Sequence, residues 1–303
     1  MHNHDPLTLL FVVNPVSGGK EKHDWEAAIR THFKDKPHRI EFYLLTGEGD
    51  ETSIRHHIDT VKPNRVVAVG GDGTVKMLAG ILRDTEISLG IVPAGSANGM
   101  ARELSIPAEA ETALTIITEG KCRKIDLVGI GKDEICLHLS DMGLNAKLVK
   151  YFENSDKRGM WGYARAVFRV LRERRAMKVK LRTDSGEIER VAFMIVIANA
   201  RTYGTGAIIN PKGSLDDGLF EVVVIKKISL AEIFKMVVTH KAFDPARTEV
   251  FQTKKLEMST RHPGYFQIDG ELIGKRSSVE AHILPQVLYV MVPSDDPGKE
   301  AAR

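Results

Sequence analysis

Arg65-Val66-Val67-Ala68-Val69-Gly70-Gly71-Asp72-Gly73-Thr74 is an apolar run that ends directly in a glycine-rich turn carrying one carboxylate and one hydroxyl. The run reads as a buried strand, and the residues from Thr74 to Leu82 read as the helix that follows it. Glycines in such a turn are expected to bend the backbone through positive φ and bring N–H groups close to a phosphate, with the helix N-terminus favouring the anion. Asp72 is then placed to face a metal, a water or an attacking hydroxyl. Gly-Gly-x-Gly also occurs in purely structural turns, so the rest of the chain has to decide.

Working outward, the same strand-then-helix alternation recurs. Thr8–Val13 precedes Trp25–Phe33, Arg39–Leu45 precedes Thr52–Val61, and Ser88–Val92 precedes Asn98–Leu104. Such alternation predicts a parallel α/β sheet, whose ligands gather at the carboxyl ends of the strands, where Asn14, Gly70 and Pro93 stand. After Asp126 the pattern turns strand-rich: Met177–Arg182, Val191–Asn199, Leu219–Ile225, Thr248–Met258, Val279–Ile283 and Val287–Val292, with helices expected around Trp161–Arg175 and Leu230–His240. Turn signals at Asp184-Ser185-Gly186 and Asp216-Asp217-Gly218 suggest an antiparallel sandwich, and the tail from Ser294 to Arg303 reads as polar and frayed.

The chain has 303 residues, 43% of them hydrophobic, enough for two domains, and a net charge of only +3 argues neither for nor against nucleic acid. Cys122 and Cys136 have no metal-ligand spacing and read as two reduced thiols. The N-terminus lacks a signal-peptide pattern and no apolar run reaches membrane-spanning length, so a cytoplasmic location is expected. Between Lys157 and Arg182, ten Lys or Arg residues face one acidic residue, Glu173. Arg165, Arg169 and Arg172 share a helical face there, suited either to an anionic membrane surface or to plain solvation. No recognised nucleic-acid module accompanies this charge, so no nucleic-acid partner is expected. The histidines, among them His56, His57 and His138, show no supported ligand spacing.

Further segments bear on phosphate chemistry. Asn14-Pro15-Val16-Ser17-Gly18-Gly19-Lys20 closes the first strand with amide, hydroxyl and ammonium groups, although an ordinary strand-to-helix turn has the same composition. Thr46 in Thr46-Gly47-Glu48-Gly49-Asp50 sets another hydroxyl at the sheet edge, and a simple loop explains it equally well. Pro93-Ala94-Gly95-Ser96-Ala97-Asn98 offers Ser96 as a helix cap or a phosphate contact. Asp269-Gly270-Glu271 sets two carboxylates across a glycine, suited to a cation or to proton transfer, but Asp-Gly is also a common hairpin turn.

In this order, Asn-Pro-x-Ser-Gly, Gly-Gly-Asp-Gly-Thr, Pro-x-Gly-Ser-x-Asn, Asp-Gly-Leu and Asp-Gly-Glu resemble the diacylglycerol kinase catalytic-domain family, from Val12 to about Val292. The resemblance implies an α/β nucleotide-binding domain over residues 1–130 and a mostly antiparallel β-sandwich lipid-substrate domain over 131–303, its last strand able to return to the first domain. It places the active site in the interdomain cleft and implies ATP, Mg²⁺ and a lipid hydroxyl acceptor, diacylglycerol first. Gly70, Gly71, Asp72, Gly73, Thr74, Thr46, Gly95, Ser96 and Asn98 match its nucleotide contacts, and Asn14 and Ser17 its phosphate-loop supports. Asp72 matches the carboxylate that orients Mg·ATP or accepts the hydroxyl proton, and Glu271 its catalytic partner, with Asp269 nearby. Asp217 resembles the carboxylate of a structural cation site completed by backbone oxygens near Ser214 and Leu219.

The sequence departs from the family where Val75 is followed by Lys76-Met77 rather than Asn-Glu or His-Glu, where Ser96 replaces threonine, and where Gly99 replaces aspartate. A kinase of this type would be cytoplasmic and peripherally membrane-associated; a homodimer is left open. Two other readings stand beside it. An NAD kinase shares the Gly-Gly-Asp-Gly core but not Asp-Gly-Leu and Asp-Gly-Glu, and a catalytically weak nucleotide- or lipid-binding regulator would accommodate Lys76 and Gly99. There is no Walker P-loop and no protein-kinase signature.

Overall fold

The structure is a computed structural model that describes residues 5–17, 25–144, 146–147, 175–202, 209–211, 213–227 and 245–294. Gly18 to Lys20, most of the Trp161–Arg175 segment including Arg165, Arg169 and Arg172, the Leu230–His240 segment and the tail beyond Ser294 lie outside the described residues. Contacts divide the chain into two compact units, Met1–Ile125 with Gln286–Arg303, and Asp126–Pro285.

The first unit is built on strands β1 (Thr8–Val13), β2 (Arg39–Leu44), β3 (Arg65–Gly70) and β4 (Ser88–Pro93). Helices α1 (Trp25–Phe33), α2 (Asp50–Val61), α3 (Asp72–Leu82), α4 (Gly99–Glu103) and α5 (Ala110–Glu119) alternate with or follow them. All pairings are parallel in the order β2-β1-β3-β4, as the strand-helix alternation demands. β3 and β4 have no exposed residue because helices cover a parallel sheet on both faces. Phe11 stacks on Phe42 and meets Phe33 of α1, which fastens that helix to the sheet. The helix α5 is absent from the sequence reading, which stops at the shorter helix before it.

The second unit is antiparallel throughout its described pairings. After β5 (Lys121–Ile130), which carries the chain from the first unit into the second, come β6 (Glu134–Cys136), β7 (Leu139–Gly143), β8 (Met177–Thr183), β9 (Gly186–Ala192), β10 (Met194–Ala198), β11 (Phe220–Ile225), β12 (Thr248–Thr253), β13 (Lys255–Ile268) and β14 (Glu271–Val292), whose residues from Gln286 onward belong to the first unit and pair in parallel with β4. One set runs β12-β11-β10-β7-β13, while the N-terminal half of β13 pairs instead with the β8–β9 hairpin. An irregularity between Ser259 and Gly264 lets one strand serve both. Phe220, Phe266, Ile268, Met142 and Val222 fill the core.

Three strand boundaries differ from the sequence reading. Thr248–Met258 is two strands, broken at Lys254. The segments Val279–Ile283 and Val287–Val292 belong to one strand, β14, which Gln286 interrupts at φ 50. β9 also precedes β10 as a separate strand. Lys178, Lys180 and Arg182 are ion-paired with Glu189, Glu187 and Glu257, so the part of the basic stretch that lies in β8 is matched by acids on neighbouring strands.

The loop after β2 is closed by Asp50, the first residue of α2. Its carboxylate accepts the backbone N–H of Thr46 (3.0 Å) and of Gly47 (2.8 Å) and the hydroxyls of Tyr43 and Thr46. The Thr46 N–H bond leads these contacts in holding the carboxyl at a pKa of about 2, below the ordinary aspartate range, against the opposing effect of burial. A depressed carboxylate stabilises the fold above its unfolded pKa and loses that contribution as pH falls through the folded one. Asp50→Asn is therefore expected to lower unfolding free energy by about 1–2 kcal/mol at pH 7, with the deficit closing as pH falls from about 4 towards about 2. Urea titrations at neutral and acid pH measure this.

Candidate functional site

The order β2-β1-β3-β4 reverses direction between β1 and β3, which makes a crevice at the carboxyl ends of those two strands. Asn14 leaves β1 there and reaches across the switch point. Its backbone N–H donates to Val69 O (2.9 Å) and its side-chain amide to the Thr74 hydroxyl (3.3 Å). The Asn14 side-chain oxygen accepts Val16 N–H, and its carbonyl accepts Ser17 N–H, so the turn after β1 is fixed by the same residue. Thr74 is buried, with Gly70 packed against its side chain.

None of Gly70, Gly71 and Gly73 adopts positive φ, which corrects the sequence expectation. The glycine requirement where the loops after β3 and β4 meet is one of space, and it falls on Gly95: a Cβ on Gly71 would lie 3.3 Å from Gly95 Cα. A Cβ on Gly95 would lie 2.5 Å from Gly71 Cα and 2.9 Å from the Asn98 side-chain oxygen. The loops after β3 and β4 thus meet backbone to backbone. Asn98 closes the second loop on itself, accepting Gly95 N–H at 2.9 Å and donating to Gly95 O at 2.7 Å, in a left-handed conformation at φ 51.

Asp72 joins the two loops. Its carboxylate oxygens accept the N–H of Gly99 (3.0 Å) and of Met100 (3.1 Å), so it caps α4 from another element. Two accepted bonds leave further lone pairs on both oxygens. The helix cap expected of Ser96 does not form there: Ser96 is exposed, and Asn98 occupies the N-cap position without a side-chain cap bond. The Thr46 hydroxyl is engaged by Asp50 and Glu48 O within its own loop.

In the second unit, Asp269 and Gly270 form the two-residue loop of the β13–β14 hairpin, closed by the pair Ile268 and Glu271. Both loop residues have positive φ, 50 and 89, the signature of a type I′ turn. Glu271 is exposed at the start of β14. The Asp269 carboxylate accepts the N–H groups of Leu137 (2.9 Å), His138 (2.8 Å) and Leu139 (3.1 Å), so it is a structural pin. Ile268 and Ile273, on either side of the loop, also line a cleft of about 370 Å³ with Ile130, Phe266 and the charged residues Lys132, Asp133, Glu134, Arg276 and Glu280.

Ser214, Asp217 and Leu219 lie in the turn before β11. Asp217 accepts Leu219 N–H (3.0 Å), Ser214 donates to Asp216 (2.7 Å), and the buried Asp126 accepts Gly218 N–H (2.7 Å). Partial burial first, then the charges of Asp126 and Asp216, push the Asp217 carboxyl up. Among the described residues no group of three or more His, Cys, Asp or Glu side chains is arranged to hold a metal ion. Asp126 and Asp50 are absent from the sequence reading of the site: a lone Asp inside a strand, as Asp126 is, or at a helix start, as Asp50 is, has no distinguishing local signal.

The diacylglycerol kinase catalytic domain family matches residues 8–130, and the YegS C-terminal NAD kinase beta sandwich-like domain matches residues 141–292. The chain belongs to the diacylglycerol kinase catalytic-domain family. A Chromohalobacter salexigens protein named "Probable lipid kinase YegS-like" is 25% identical over 269 residues, 86% of each chain. A Yersinia enterocolitica protein of the same name is 24% identical over 297 residues, covering 95% of this chain and 97% of its own. The crystal structure of a diacylglycerol kinase from Bacillus anthracis shares the fold, with a TM-score of 0.73 at 18% identity, 97% of this chain and all of that one covered.

The space requirement at Gly95 sets it apart from Gly73, around which a Cβ would meet nothing within 4 Å. Gly95→Ala is expected to cost about 1–3 kcal/mol. Gly73→Ala, inside α3, is expected to leave stability unchanged or raise it by up to about 1 kcal/mol. Thermal melts compare the two.

Proposed function

We propose that the chain transfers the γ-phosphoryl group of ATP to a lipid hydroxyl, with diacylglycerol as the first candidate acceptor. The observation that carries this reading is the direct contact of the Gly71 and Gly95 loops, bridged by Asp72, at the carboxyl ends of parallel strands beside a topological switch point. Phosphoryl transfer asks for positioning and charge neutralisation more than for covalent chemistry. A rigid double loop with carboxylate lone pairs still available suits that demand.

In the reaction the lipid oxygen bonds to the γ-phosphorus as the bond to the β–γ bridging oxygen breaks, ADP leaves, and the hydroxyl gives up its proton. Asp72, held by two N–H groups of α4, is assigned to orienting the nucleotide, with Gly70, Gly71, Gly73, Thr74, Gly95, Ser96 and Asn98 around it and Asn14 and Ser17 supporting the loop. Glu271 is assigned to accepting the proton. The cleft of about 370 Å³ that adjoins its hairpin is lined by Ile130, Phe266, Ile268 and Ile273 together with Lys132, Asp133, Glu134, Arg276 and Glu280, so its lining is mixed in polarity. Magnesium bound with the nucleotide supplies neutralisation of the phosphate charge.

Label transfer from [γ-³²P]ATP into a mixed-micelle panel of diacylglycerol, phosphatidylglycerol and a long-chain base, with NAD as a parallel acceptor, tests the reaction. Lipid labelling is expected, falling at least about 100-fold in Asp72→Asn while the fold persists. Label entering NAD alone, or a fully active Asp72→Asn, would falsify the assignment.

A structural cation at the turn before β11 is part of the same proposal. The raised Asp217 carboxyl sits among like charges, and a divalent ion held by Asp217 with backbone oxygens near Ser214 and Leu219 would relieve that repulsion. A raised acid stabilises the fold when protonated, and that contribution fades as pH rises through its folded pKa. At neutral pH without Mg²⁺, Asp217→Asn is accordingly expected to melt no lower than the wild type. Added Mg²⁺ should raise the melting temperature of the wild type only, and an equal rise in both proteins would remove Asp217 from the site.

A further inference from the structure

Glu271 stands at the exposed end of a hairpin, yet the loop it follows is held by buried polar groups on two sides. Gln267 lies between Phe266 and Ile268 on β13 and is 1% exposed. Its direct cross-strand partner on β7 is Asp141, which is fully buried. The Gln267 amide nitrogen donates to one Asp141 carboxylate oxygen, while Ala146 N–H donates to the other at 2.9 Å. With its amide group so oriented, Gln267 turns its side-chain oxygen to the loop and accepts Gly270 N–H at 2.6 Å. Asp269, the other loop residue, is fixed by the three N–H groups of residues 137 to 139.

A pair whose only task was to join β7 to β13 would need one hydrogen bond. Here the second end of the buried Gln267 is committed to the N–H of Gly270, the residue before Glu271, and a buried side chain that leaves a polar contact unmade is expensive. We propose that Gln267, oriented by Asp141, is a positioning residue that sets the direction in which the hairpin presents the Glu271 carboxylate to the acceptor hydroxyl. The inference rests on the reading of Glu271 as the proton acceptor. The Asp141 carboxylate tells the two ends of the Gln267 amide apart, since only the nitrogen can donate to it, and the oxygen is thereby directed to Gly270. The arrangement is therefore polar in one sense and can be reversed by exchanging donor and acceptor.

The test uses the full chain with the ATP and lipid panel above. Gln267→Glu sets two carboxylates face to face, and kcat is expected to fall about 10- to 100-fold with the KM for Mg·ATP within about twofold. Combining Gln267→Glu with Asp141→Asn restores one donor against one acceptor and keeps an acceptor for both Gly270 and Ala146. This double variant is expected to recover kcat to within about threefold of the wild type. If Gln267→Glu does not fold, Gln267→Met, which removes the bonds without adding charge, carries the same expected loss. Full kcat in the single variant, a loss confined to KM, or a double variant no better than the single one overturns the inference. Glu271→Gln is run alongside: a loss there beside an unaffected Gln267→Glu rejects the positioning role and leaves Glu271 as acceptor. Full activity in Glu271→Gln rejects the acceptor itself, and the positioning role with it.

Discussion

Two loops of different strands can touch through their main chains only where neither carries a side chain at the point of contact, and in the first unit that condition is met at Gly71 and Gly95. The remaining geometry of the sheet edge follows from it. With the backbones in contact, Asp72 comes within reach of α4 and can cap it across a gap of 27 residues in sequence, and Asn98 is free to staple its own loop. Asn14 then ties the end of β1 to the same assembly through Thr74. The shape of the turn is fixed by packed main chain and by the Asp72 cap. Such pre-organisation is what a reaction governed by positioning requires.

The second unit solves a related problem with polar side chains instead of glycines. A hairpin end is ordinarily among the more mobile parts of a sheet. Asp269 converts this one into an anchored corner by binding three successive backbone N–H groups of the β6–β7 connection. A carboxylate with several backbone donors is a strong and directional clamp. The same tactic appears at Asp50 in the first unit and at Asp126, where a single carboxylate organises a turn. Recurrent use of one aspartate per loop explains how this chain keeps its functional edges ordered without disulfides, its two cysteines being free thiols.

Much of this was legible in the sequence. The alternation of apolar runs and amphipathic segments up to Leu104 announces the parallel sheet because both patterns are strong and short-range. The motif order announces the family because each motif has a fixed place at a strand end. What the sequence hides is long-range. Nothing around Gln267 marks it as buried: a polar residue flanked by Phe266 and Ile268 has the pattern of a solvent-facing strand position, and only Asp141, 126 residues away, gives it an interior role. The glycines of the first turn were read through their permitted φ, whereas the structure uses their small size, a property that depends on Gly95. Ser96 looked like a helix cap because no local signal shows that Asp72 already fills that role. Gln286, which interrupts β14, made one strand read as two.

The paired charges of the β8–β9 hairpin have an effect at a distance. Lys178, Lys180 and Arg182 each have an acidic partner at 2.7 to 3.0 Å, several times closer than the Debye length of about 8 Å at physiological ionic strength. To anything beyond that length each pair is a small dipole with almost no monopole field. An approaching anionic bilayer would sense little attraction from these strands, and added salt would change that little. Any electrostatic steering towards a membrane must therefore originate in parts of the chain other than this hairpin.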